Sequence, residues 1–86
     1  MAITCEQLKT RLETTLQAEV QAIDESHLHA GHAGARDGGR HFRVKVKSPQ
    51  FNGLSTLARH RLVYDAVADW MKQEIHALAI DEALAN

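Results

Sequence analysis

Leucine recurs every four residues near the N-terminus, at Leu8, Leu12 and Leu16, and Val20 continues the spacing. Lys9, Arg11 and Glu13 fall off this row, as they should on an amphipathic helix. Thr4-Cys5-Glu6-Gln7 stands just ahead and fits a capping box, with Gln7 reaching back to Thr4. The pattern predicts a helix over residues 4–18. Residues 20–24 alternate weakly and suit a strand. Residues 27–39 are rich in Gly, His and Ala without a hydrophobic period, which predicts a loop.

Phe42, Val44 and Val46 then alternate strictly with Arg43, Lys45 and Lys47. This is a half-buried strand over 42–47 whose outer face carries cations about 7 Å apart, and Pro49 ends it. Asn52-Gly53 signals a turn, and Ser55 is a fair N-cap. Leu57, Val63, Ala66, Val67, Trp70 and Met71 make a helical apolar face. Its length predicts a short helix over 55–58, a bend, and a longer helix over 60–72. Residues 76–80 read as a strand, with a frayed tail behind it. The order is αββααβ, an α+β fold. Its first two strands form a hairpin across a long loop, and its third, arriving after a helix, lies parallel to a neighbour.

Eighty-six residues make one domain, spanning 1–86, with a small core. The 44% hydrophobic share argues against disorder. No apolar run approaches the ~20 residues of a membrane span. The N-terminus lacks the basic and apolar regions of a secretory leader, so a cytoplasmic location with no membrane partner is expected. One cysteine, Cys5, rules out an internal disulfide and a self-sufficient thiolate metal site. Charge is unevenly spread. Residues 36–61 hold seven basic residues against one acid, while the remainder holds three against ten. The middle of the chain is expected to present a basic surface.

Six histidines are the compositional oddity. His27, His29 and His32 share the predicted loop, where imidazoles can converge on a metal or simply stay solvated. His76 opens the last strand, as a ligand or as a hydrogen-bonded edge residue. Arg59-His60-Arg61 and the basic strand offer a nucleic-acid reading. In it the segment 55–72 resembles a helix-turn-helix in outline, and Arg43, Lys45, Lys47, Arg59 and Arg61 face a nucleic acid or a protein partner. The same residues also read as a solvated cationic face. Cys5 sits near a helix N-terminus, which would lower its pKa, yet no histidine is tied to it by spacing. The acidic pairs Asp24-Glu25 and Asp81-Glu82 read as surface residues. No nucleophile and base stand together, so no enzymatic activity is expected.

Asp24-Glu25-Ser26, the loop histidines, His41-Phe42-Arg43-Val44, the Phe51-x-Gly53-x-Ser55 turn, Arg59-His60-Arg61-Leu62-Val63-Tyr64 and Ile75-His76-Ala77-Leu78-Ala79-Ile80 together resemble the BolA family over nearly the whole chain. The resemblance implies a class II KH-like fold: a three-stranded mixed sheet with helices on one face. It implies pairing with a monothiol glutaredoxin of the CGFS type and a shared [2Fe-2S] cluster, with glutathione as co-ligand. It also implies, for some bacterial members, DNA-binding regulation. The family's ligand in the strand after the long helix maps onto His76. Its second ligand, in the loop between the first two strands, maps onto His29 when Asp24-Glu25-Ser26 is aligned. His32 and His27 stand close by in a loop longer than the commoner pattern. The isolated chain is then expected to hold no cluster tightly and to be a monomer or weak homodimer. Imidazole ligands would raise the cluster's potential and make it labile to acid.

Overall fold

Helix α1 spans Cys5–Leu16 and begins on the predicted cap. The Gln7 N–H donates to Thr4 Oγ1 at 3.1 Å, and the Thr4 N–H donates to Gln7 Oε1 at 2.8 Å. Leu8, Leu12 and Leu16 are buried as one stripe. Gln17 ends the helix in the left-handed region, with φ 52°. Val20 therefore leaves the helix and enters the same core from strand β1, Glu19–Asp24. The computed structural model describes residues 3–25, 40–72 and 75–85. The predicted loop over 27–39 lies outside the described residues.

Strand β2, Arg40–Ser48, is central, with β1 antiparallel on one side and β3, Ile75–Ala85, parallel on the other. Phe42, Val44 and Val46 are buried against the helices, so the alternation reads directly as burial. Among the described residues the helices cover this face, and Arg43, Lys45 and Lys47 lie on the other. Strand β3 replaces the tail that local pattern suggested. Asp81 to Ala85 are poor strand formers by propensity, but pairing with β2 overrides that weak preference.

Ser48 joins the layers. Fully buried, its hydroxyl donates to Leu16 O at 2.6 Å and accepts from the Gln50 N–H at 3.0 Å. It thereby satisfies a carbonyl at the end of α1 and caps the 3-10 turn Pro49–Phe51. Phe51 then plugs the core, and Gly53 takes φ 78°, which a side chain would resist.

Helix α2, Thr56–Ala66, starts on Ser55, whose hydroxyl accepts from the Ala58 N–H at 3.2 Å. The region between β2 and β3 departs from the bent pair of helices predicted over 55–72. One α-helix runs unbroken through 58–60, and the chain turns later, into the 3-10 turn Trp70–Lys72. Val63 and Val67 anchor the helix, whereas Leu57, counted on its apolar face, is 69% exposed. Arg11 of α1 clasps this turn. Its Nη1 donates to Ala66 O at 3.1 Å and to Asp69 Oδ1 at 2.8 Å, and its guanidinium lies 3.9 Å from the Trp70 ring centroid.

Candidate functional site

Strand directions gather the candidate residues at one end of the sheet. Strand β1 finishes there at Asp24, paired with Phe42, while β2 and β3 both begin there, with Arg40 level with Ile75. The segment 26–39 leaves and returns at this end. His27, His29 and His32 lie in it, outside the described residues. His76 lies in β3 at the same end. The register steps from Arg40↔Ile75 to His41↔Ala77, so His76 is the extra residue of a β-bulge. Bulges re-aim side chains and are frequent beside functional sites.

His41 is the addition that sequence reasoning did not single out. It stands on β2 beside the His76 bulge, is only 9% exposed, and its carbonyl accepts the Glu25 N–H at 2.7 Å. In the strand alternation it shares the polar face with Arg43, so nothing local marks it as buried.

The five cations do not form one surface. Arg43, Lys45 and Lys47 lie on the open sheet face, while Arg59 and Arg61 belong to α2 on the other. Arg43 is ion-paired with both Glu25 and Asp81, and those hydrogen bonds push its pKa further up. The acidic residues read as plain surface thus have a structural partner. Lys45 is level with Glu82, and Lys47 with Glu19. Arg59 donates from Nε to Leu54 O at 3.0 Å and from Nη1 to Ala83 O at 2.9 Å, so it braces the end of β3. The Tyr64 hydroxyl braces the strand again, donating to Leu78 O at 2.9 Å. Arg61 remains exposed, with no hydrogen bond or ion pair among the described residues.

Cys5 corrects a second expectation. Burial, followed by the negative charges of Asp24 and Glu6, pushes its thiol above the ordinary value. The helix terminus does not make it a thiolate. A surface depression of about 510 Å³, lined by Lys9, Glu13, Glu19, Lys45, Lys47 and Glu82 among others, lies toward the opposite end of the sheet. Its charges balance, so the histidine-bearing end is the better site by chemistry. Among the described residues no group of three metal-ligating side chains stands together.

A three-stranded mixed sheet covered on one face by two helices, with a bulged histidine at the end where the first two strands open, defines an α+β protein of the BolA type. The chain matches the BolA-like protein family over residues 8–85 and belongs to it. It is 44% identical over 73 residues to human BolA-like protein 1, covering 85% of this chain and 52% of that protein. It is 40% identical over 74 residues to a Vibrio cholerae protein named DNA-binding transcriptional regulator BolA, covering 85% and 67%. Among solved structures, the BolA domain of SufE1 from Arabidopsis thaliana superposes with a TM-score of 0.80 at 34% identity, covering 98% of this chain and 95% of that one. The chain spans about half the length of the mammalian BolA-like proteins 1 it matches and 21% of the Arabidopsis SufE-like protein 1.

Proposed function

We propose that this chain is a non-enzymatic binding module. It pairs with a CGFS-type monothiol glutaredoxin and helps to ligate a [2Fe-2S] cluster through His76 and one histidine of the segment 26–39, His29 ahead of His32 and His27. It serves iron–sulfur trafficking or iron-linked regulation. The observation that carries this reading is the register: His76 is the extra residue of a bulge at the sheet end where that segment leaves and returns. The donor set supports it. A [2Fe-2S] cluster takes four ligands, and this chain has one cysteine, whose thiol pKa is raised by partial burial and nearby acids. The chain can therefore offer one or two imidazoles, with thiolates coming from the partner and from glutathione. When bound, such a cluster supplies electron storage or transfer to a recipient protein. The chain's own part is positional: β2 and β3 fix the backbone of residue 76, and Arg59 and Tyr64 brace that strand from α2. The test is co-expression with a monothiol glutaredoxin, followed by visible absorption and circular dichroism of the wild type and His76→Ala complexes. An unchanged cluster spectrum and lifetime in the variant would sink the ligand assignment.

A second reading, a DNA-binding regulator, is favoured by the name of the Vibrio cholerae relative. Of the five cations named for it, Lys45, Lys47 and Arg61 remain available among the described residues, since Arg43 and Arg59 are engaged internally. These three residues account for a shallow fall of affinity with salt, fewer than three counterions' worth, because the slope counts phosphate contacts. A steep slope, with preference for one promoter fragment, would revive this reading.

A further inference from the structure

The open face of the sheet carries an ion cluster that links β2 and β3 to the residue following β1. Arg43, on the central strand, donates from Nε to Glu25 Oε2 at 3.1 Å and from Nη1 to Asp81 Oδ1. Glu25 is the first residue past the end of β1 and the last before the segment 26–39. Its backbone is held as well, by the 2.7 Å hydrogen bond from its N–H to His41 O. Asp81 is the extra residue of a second bulge in β3, where the register steps from Val44↔Ile80 to Lys45↔Glu82. The two carboxylate side chains are only 20% and 28% exposed. One guanidinium faces two carboxylates, so the cluster carries a net negative charge and offers no attraction to an anionic partner. Two nitrogens of one rigid fork reach two different acids, a geometry that a lysine ammonium does not reproduce.

We propose that Arg43 is a positioning residue. Its guanidinium holds Glu25, the root of the histidine-bearing segment, against β3, and so sets where that segment leaves the sheet relative to His76. This rests on the functional reading above, in which those histidines and His76 are ligands. Groups that orient ligands are often nearly as critical as the ligands themselves.

The test uses Arg43→Lys, which keeps the charge but not the fork, and Glu25→Gln, which keeps the size but not the charge. Gln21→Ala on the same face is the control. Amide {1H}-15N NOE values of the free protein read the mobility of residues 25–29 on the picosecond–nanosecond scale. Visible circular dichroism of the glutaredoxin complex reads cluster retention. Both variants should lower the NOE values and weaken cluster retention about tenfold, the low end for groups that act through a ligand's support. Their double variant should be no worse than Arg43→Lys alone, since Glu25→Gln removes a contact that Arg43→Lys already disturbs. Unchanged NOE values overturn the proposal. So does unaltered retention in a complex whose cluster still depends on His76. If the wild-type cluster proves indifferent to His76→Ala, the functional reading fails. The NOE measurement then decides the clamp by itself: lowered values uphold it and unchanged values overturn it.

Discussion

The two arginines that flank His60 should respond differently when truncated. Arg59 donates to two backbone carbonyls, Leu54 O at 3.0 Å and Ala83 O at 2.9 Å, from a half-buried position. A hydrogen bond from a charged donor contributes about 1.5–3 kcal/mol. Water reaches this site and one guanidinium makes both bonds, so the pair falls well short of twice that value. Arg59→Met keeps much of the aliphatic stem and should cost about 2 kcal/mol. In a domain of this size that is a fall of roughly 8–16 °C in Tm. With a urea m-value of about 1–2 kcal/mol/M, the midpoint should drop by about 1–2 M at unchanged slope. Arg61→Met removes an exposed side chain and should stay within about 0.5 kcal/mol. Urea titrations of the two variants, followed by circular dichroism, decide the matter. Equal stabilities would refute the bracing role and return Arg59 to the pool of surface cations available to a nucleic acid.

Ser48→Ala should cost about 2–3 kcal/mol in the same titration. It leaves the buried Leu16 carbonyl and the Gln50 N–H without their partner, and each such loss costs about 1–3 kcal/mol. A loss under about 0.5 kcal/mol would contradict the role of that hydroxyl in joining α1 to the sheet. Cys5 should alkylate slowly in the native protein. Burial raises its pKa, so at pH 8 the thiolate fraction lies below that of a free thiol, and the rate should still be climbing where a free thiol has levelled off. Urea should abolish the difference. A native rate matching that of a free thiol across the range would show that burial does not govern this cysteine.

How far the sequence could be read depended on whether one segment carried its own signal. Helix α1 was legible to its cap because Thr4, Gln7 and three leucines all lie within one short stretch, the helix and the cap before it. Strand β2 was legible because its alternation maps onto the two faces of the sheet. The helix pair expected over 55–72 was not, because Leu57 and Trp70 share a period but not a helix, and periodicity cannot see the turn at 67–69. The last strand was read short because Asp81 to Ala85 owe their conformation to β2. The bulges at His76 and Asp81 are properties of two strands together, and no single-strand pattern encodes them. The arginines show the same limit. Their charge was plain in the sequence, but their partners, Glu25, Asp81, Leu54 and Ala83, are set by the tertiary fold. His76 was singled out by position and resemblance, and the register now gives it a structural distinction of its own.

The most direct test of the account is the visible circular dichroism of the chain reconstituted with a monothiol glutaredoxin, glutathione, iron and sulfide, with and without His76. The account predicts that the wild-type complex gives a cluster spectrum distinct from that of the glutaredoxin alone, and that His76→Ala loses that distinct spectrum while remaining folded. A distinct spectrum that survives His76→Ala unchanged, or no distinct spectrum at all in the wild type, contradicts it.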